Sequence, residues 1–289
     1  MKSWCFTALI FVIFLYGFFS FDVLIGAENT KVINLDEKYA ILEKKHDLLY
    51  AESYRFDQYL KDVDEYIEKN PKKSDVRMKK NKDRIQFHID VMKDKDRYNW
   101  NKNFLSRDEI IQRRKYIRDE FKKAGIPESY IKVLQYVPFV ESSFNPRACT
   151  AAKPDGRGET VKGLWQFTET TGREYGLYVT TTPCVKVEGV FLCEESDGDE
   201  RIDVAKTTPK AAKFWRKIIW DLKEKNKQDP SPELVLTCYH TGPGATQKMI
   251  DKYGFNFYNF PITDGHFGPR SYRYAPLIMA ISKIGEGEA

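Results

Sequence analysis

Histidine is scarce in this chain of 289 residues, and the four present are scattered, which gives no basis for a metal site. No glycine-rich phosphate loop occurs, so nucleotide chemistry of the P-loop or dinucleotide kind is excluded. No Arg/Lys cluster interleaved with aromatic residues stands out, and no nucleic-acid partner is expected. The net charge of +5 is mild; it suits an anionic polymer, and a Lys-rich solvated surface equally well. Neither a metal nor an organic cofactor is called for. What is present is a globular composition: enough apolar residues for a core, and aromatics on the rich side.

One long apolar run marks the N-terminus. Met1-Lys2 is a short basic start, Trp4 to Phe21 is almost wholly apolar, Asp22 breaks the run, and Gly26-Ala27 supplies small residues. Residues 1–27 therefore read as an export signal cut after Ala27. The run is also long enough to span a bilayer, so an uncleaved N-terminal anchor is the alternative. Cys5 sits at the start of the run, before its apolar core, the wrong side for a lipoprotein acceptor. Export leaves Cys149, Cys184, Cys193 and Cys238 in an oxidising compartment, where an even set favours disulfides. Cys184 and Cys193 flank β-branched residues around Gly189, the pattern of a small hairpin. Pairing those two leaves Cys149 for Cys238, with buried thiols as the alternative.

Residues 28–103 read as a charged helical hairpin. Leu35, Tyr39, Leu42, His46, Leu49, Ser53, Phe56, Leu60, Val63 and Ile67 follow alternating steps of four and three. Only His46 and Ser53 interrupt this seam of a long amphipathic helix, which Asn70-Pro71 ends. Met78, Ile85, Ile89 and Met92 mark a second, weaker helix. The 35–67 helix could pack on the hairpin, on the following domain, or on a protein partner, including a second copy.

Residues 104–289 are predicted to be mainly helical. Ser106 and Glu109 fit a capping box opening a helix to about Lys123, which stops at Gly125. Pro127 starts the next helix, apolar from Tyr130 to Val140. Thr208-Pro209 suits a cap and first turn, Ser231-Pro232-Glu233 opens a helix to His240, and a last apolar helix begins around Ala275-Pro276. The expected fold class is thus mostly α with a small β-hairpin, preceded by a long helical hairpin. Glu141 sits at the end of the apolar Tyr130–Val140 run, just before a turn. A carboxyl held there is partly desolvated, and in a last helical turn the macrodipole also raises its pKa. That makes Glu141 a candidate general acid; a solvated glutamate past the helix end is the alternative.

Three motifs stand in register: Glu141-Ser-Ser-Phe-Asn-Pro, Gly163-Leu-Trp-Gln-Phe and Tyr239-His-Thr-Gly-Pro-Gly. Together they resemble the lytic transglycosylase (SLT) domain. The Asp199-Glu-Arg-Ile-Asp203 element and the Tyr274-Ala-Pro276 segment resemble the membrane-bound lytic murein transglycosylase D type. The resemblance covers roughly Ser106 to Ile284. It implies a lysozyme-like α+β domain, a peptidoglycan glycan strand as partner, and a periplasmic or cell-envelope location. It also implies cleavage of the MurNAc–GlcNAc bond without a water nucleophile. Glu141 would then act as acid and afterwards as base, giving a 1,6-anhydro end.

Carried over residue by residue, the resemblance makes Thr150 an orienting hydroxyl and Gln166 a hydrogen-bonding partner of sugar or of the catalytic carboxyl. Tyr239 becomes a groove tyrosine steadying Glu141 or the developing charge, and Tyr274 a further groove candidate. Asp199, Glu200, Arg201 and Asp203 read as a structural ion-pair and capping cluster. Two departures stand out: His240 follows the tyrosine where the family usually has Asn, and the 150–163 loop is longer than usual. Asp155 or Glu159 in that loop, or Glu174, could supply the second carboxylate of a lysozyme-type hydrolase. A glycan-binding scaffold without lytic activity is the reading from another class.

Overall fold

The computed structural model describes residues 81–93, 105, 107–150, 159–187, 190–194, 198–261 and 269–288. The 1–27 apolar run, the 35–67 heptad pattern, Met78 and Asp155 lie outside the described residues. Among the described residues no helix is long and apolar enough to cross a membrane.

The protein is mostly helical. Helix α1 (Asn81–Lys93) is followed by α2 (Asp108–Lys123), α3 (Glu128–Leu134) and α4 (Val137–Ser142). Strands β1 (Cys149–Thr150), β2 (Val161–Lys162) and β3 (Phe167–Thr168) form an antiparallel sheet in the order β1-β2-β3. A short α5 (Glu169–Glu174) leads to the hairpin β4 (Val185–Val187) and β5 (Val190–Leu192). After a 3-10 turn at Glu200–Ile202 come α6 (Val204–Asn226), α7 (Pro232–Thr241), α8 (Pro243–Tyr253) and α9 (Pro269–Gly285).

Proline chemistry explains where the helices differ from the pattern reading. The apolar run through Val140 is two helices, because the ring of Pro138 clashes with the carbonyl four residues back and offers that carbonyl no N–H. That residue is Leu134, the last of α3. Helix α6 starts at Val204, ahead of Thr208-Pro209, because Asp203 is the true cap: its carboxylate accepts from the Ala205 and Lys206 amides at 2.8 and 3.1 Å. Pro209 lies inside α6 and leaves the Ala205 carbonyl without its helical donor; the Tyr116 hydroxyl donates to it at 3.2 Å. Helix α9 likewise begins at Pro269, ahead of Ala275-Pro276. The cap of α2 is Arg107, with no side-chain bond. Gly125, at φ +76°, ends the segment after α2, and Ser231 caps α7 through the Leu234 amide, both as read from sequence.

The buried core is contiguous from α1 to α9. Ile85, Ile89 and Met92 on one face of α1 join Phe121, Trp165, Trp215, Leu236 and Leu277. Helix α9 packs against α1, α7 and α3. It is tied at its end by Ser282 donating to the Lys132 carbonyl (2.9 Å) and by Glu286 accepting from Arg114 (3.0 Å) and Tyr136 (2.8 Å).

The cysteines pair differently from the expectation. The disulfide joins Cys149 to Cys184, whose Cα atoms are 5.9 Å apart; Cys193 and Cys238 are buried thiols. The hairpin forms as expected, but Ala148 also bridges Leu192, so the β1 segment docks on β5. That brings Cys149 within reach of Cys184, while the Cys193 amide donates to the Arg147 carbonyl. Cys238 faces Thr246 of the neighbouring helix.

Candidate active site

Glu141 occupies the last turn of α4, and the chain then turns through two non-glycine residues in the left-handed region, Ser143 (φ 50°) and Phe144 (φ 58°). Such backbone costs energy and persists where surroundings dictate it. Here the Phe144 ring is fully buried, and Arg113 Nη1 donates to the Phe144 carbonyl. The Ser142 hydroxyl lies 2.9 Å from both the Pro138 and Leu164 carbonyls, so it clips α4 to the Gly163–Phe167 segment.

Although part of Glu141 reaches solvent, desolvation of its carboxyl pushes the pKa up from 4.5 to about 7, against the lowering effect of a hydrogen bond from Tyr274. The Tyr274 hydroxyl, on α9, donates to Glu141 Oε1. Burial, and next the Glu141 charge, raise the Tyr274 phenol well above its usual value, so it stays a donor. His240 stacks on the Tyr274 ring at 4.4 Å between centroids. His240 thus braces the tyrosine that is bonded to Glu141.

Tyr239 also has a strongly raised pKa, from burial and then the Glu141 charge. Its hydroxyl, however, donates to the Trp165 carbonyl. Its ring stacks on Trp215 at 4.2 Å and meets Phe214 at 5.6 Å. Gln166, with φ +46°, uses its amide to close its own turn: Nε2 donates to the Gly163 carbonyl (2.9 Å) and the Ala148 carbonyl (3.1 Å). Thr150 Oγ1 donates to Gln166 Oε1 at 3.1 Å. Thr150 and Gln166 therefore come together with each other, whereas Tyr274 is the residue bonded to Glu141. Trp165 and Phe167 are buried, as packing residues should be.

Beneath this turn lies a buried ion cluster. Arg201 clamps Asp199 (Nε to Oδ1 3.0 Å, Nη2 to Oδ2 2.7 Å) and donates to the carbonyls of Thr160 (2.8 Å), Phe167 (3.2 Å) and Thr180 (3.3 Å). Lys162 adds a charge 3.5 Å from Asp199 Oδ2. Burial alone would raise the Asp199 pKa, yet the Arg201 hydrogen bonds and the two cations hold it below its usual value. Gly163, at φ +84°, lies against this cluster so closely that a Cβ would sit 1.8 Å from the Arg201 carbonyl oxygen. Only glycine fits there. Asp199 and Arg201 are structural as read from sequence. Lys162 was not singled out by any pattern, since a lysine in a short strand carries no sign of burial.

Of the carboxylates considered as partners for Glu141, Glu159 accepts from the Thr170 amide at 3.2 Å and from its hydroxyl. Those hydrogen bonds lower the Glu159 pKa. Glu174 is exposed on α5. A cleft of about 1110 Å³ opens beside the site. Gln166 and Tyr239 line it, Glu141 does not, and it continues along α6 toward α8.

Comparison with known proteins bears on this arrangement. Residues 115–258 match the family described as Transglycosylase SLT domain. Over 203 residues the chain is 25% identical to "Membrane-bound lytic murein transglycosylase D" of Escherichia coli (strain K12), covering 67% of this chain and 36% of that protein. The protein of the same name from Escherichia coli O6:H1 matches to the same extent. The chain thus spans about a third of the length of these curated relatives.

Proposed function

Residues 115–258 make this chain a member of the transglycosylase SLT domain family, and on that premise we propose that it is a peptidoglycan lytic transglycosylase. It cleaves the β-1,4 bond between MurNAc and GlcNAc, with Glu141 as the sole acid and base. The observation that carries this reading is a carboxyl whose pKa is raised by desolvation to about 7 and which is bonded to a neutral phenol. A carboxylic acid in that state holds a proton at neutral pH and can give it up.

In the first step Glu141 transfers its proton to the glycosidic oxygen as the bond from that oxygen to C1 of MurNAc breaks. The sugar gains oxocarbenium character. Glu141, now a carboxylate, takes the proton of the MurNAc 6-hydroxyl while that oxygen bonds to C1. The products are a GlcNAc hydroxyl end and a 1,6-anhydroMurNAc end, and Glu141 is protonated again. Tyr274 holds the carboxyl oxygen in place through both transfers. Thr150, Gln166 and Tyr239 shape the substrate side of the turn. The engagement of Glu159 with Thr170 supports one carboxyl acting without a second.

On the same reading the 1–27 segment directs export to the periplasm or cell envelope, residues 28–103 form a helical extension, and residues 104–289 form the catalytic domain. The test is mass spectrometry of muropeptides released by the purified protein. Anhydro ends are expected, and Glu141→Gln should abolish release. Reducing ends, or clearing of peptidoglycan by Glu141→Gln, would overturn the mechanism.

A further inference from the structure

Cys149, Cys184 and Cys193 meet at one place in the fold, and the strand register offers one of them two partners. The last pair of the β4–β5 ladder is Val185 with Leu192. The next residues out on the two strands are Cys184 and Cys193, so the register sets them opposite one another. Residues opposite in an antiparallel pair stand roughly 4.5–5.5 Å apart at Cα, within the span of a disulfide. On the other edge of β5, Ala148 bridges Leu192. There the Cys193 amide donates to the Arg147 carbonyl at 2.9 Å, and Arg147 Nε donates to the Cys193 carbonyl at 2.9 Å. Cys193 is therefore held between the two segments that the Cys149–Cys184 disulfide joins. It is a buried thiol. Burial keeps bulk thiols and oxidants away from it, so its chemistry is confined to what lies beside it.

We propose that thiol–disulfide exchange within the chain passes Cys184 between Cys149 and Cys193, and that this exchange ties or releases β1. As a thiolate, Cys193 attacks Cys184 Sγ; the Cys184–Cys193 bond forms as the Cys149–Cys184 bond breaks. The electron pair leaves on the Cys149 sulfur, which takes up a proton in place of the one Cys193 gave up. One disulfide and one thiol stand on each side, so no oxidant or reductant is consumed. The consequence falls on β1, a strand of two residues at the edge of its sheet. With Cys149 tied to Cys184, its neighbour Thr150 donates to Gln166 Oε1 at 3.1 Å, and the Ala148 carbonyl accepts from Gln166 Nε2 at 3.1 Å. In the exchanged form β1 loses that tie, and the turn carrying Gln166 loses part of its support. The effect on activity rests on the reading of this turn as the substrate side of Glu141; the exchange itself does not.

The test is disulfide mapping of the full chain, incubated at mildly alkaline pH, where thiolate is populated, with no added thiol or oxidant. Acid stops the exchange, thiols are blocked, and tryptic peptides are read by mass spectrometry; cleavage at Arg157, Arg173 and Lys186 separates the three cysteines. The Cys184–Cys193 linkage should make up at least roughly one-tenth of the total, the ratio that about 1.4 kcal/mol gives. Cys149 should be blocked as a thiol in that fraction. The ratio should not change on dilution, as exchange inside one chain requires, and Cys193→Ala should leave Cys149–Cys184 alone. Cys149–Cys184 as the sole linkage in the unsubstituted chain, or a ratio that follows protein concentration, would overturn the proposal. Muropeptide release reads the effect on the turn, compared below the melting transitions of both variants. Cys149→Ala should release roughly three- to tenfold less than Cys193→Ala, the scale of one hydrogen bond. Equal release would overturn the control of the turn. A lack of lytic activity in the unsubstituted chain would defeat the catalytic reading, while the linkage ratio still decides the exchange.

Discussion

At the residue scale, the proposed mechanism turns on how Glu141 keeps its proton. Burial works against the carboxylate and the Tyr274 hydroxyl works for it, and burial wins by enough to bring the pKa to about 7. On the proposed mechanism the acid form is the working form, so kcat/KM should fall as pH rises through about 7, an alkaline limb that a pH–rate profile will show. Tyr274→Phe removes the influence that lowers the pKa. That limb should move to higher pH, while kcat drops at least about tenfold, one hydrogen bond to a charged group being worth roughly 1.5–3 kcal/mol. An unmoved limb would mean that Tyr274 does not act on Glu141. Sequence alone led to Glu141, because an acid at the end of an apolar run predicts desolvation. It did not lead to the Tyr274 bond, which joins residues 133 apart in the chain.

At the element scale, the site depends on a tight turn seated on a buried ion cluster. The β2–β3 connection from Gly163 to Gln166 leaves no room for a side chain at Gly163, where φ is +84° and the Arg201 carbonyl closes the space. Gly163→Ala should destabilise by more than about 2 kcal/mol, from left-handed strain plus overpacking, read as a lower denaturation midpoint with an unchanged slope. The same turn carries Gln166, Trp165 and the Leu164 carbonyl that holds Ser142, so residual activity should fall further than stability alone accounts for. Prolines shape the helices around it. Pro138 ends the helix that an apolar pattern would have run straight through, and that break makes a short separate helix of the one that ends at Glu141.

At the scale of the whole molecule, α1 is part of the fold that supports the site. Ile85, Ile89 and Met92 are buried in the core cluster, and α1 packs on α9, which carries Tyr274. On the same helix His88 is buried; desolvation, with a smaller contribution from the Arg273 charge, lowers its pKa from 6.5 to about 3. Between those values the unfolded chain binds a proton that the folded chain does not. His88 therefore contributes stability that is full above pH 6.5 and is lost as pH falls toward 3. Glu141 works in the opposite sense, its raised pKa costing stability as pH rises from 4.5 to about 7. Chemical denaturation across pH should separate the two: His88→Gln flattens the acid-side loss, and Glu141→Gln flattens the neutral-side one. Persistence of the full acid-side loss in His88→Gln would mean that the helix is not docked as described.

The sequence by itself determined the helical class, the stop at Gly125, the Ser231 cap, the small hairpin and the family, and it pointed to Glu141, because these depend on local periodicity, turn chemistry and residues in fixed order. Tertiary structure alone decided which cysteines pair, since docking of β1 on β5 selects Cys184 for Cys149. It decided that Lys162 joins Asp199 and Arg201 in the interior, and that Tyr239 bonds the Trp165 carbonyl while Tyr274 bonds Glu141. Each of these is a contact between elements distant in the chain. No local pattern encodes such a contact; it exists only once burial has brought the two surfaces together.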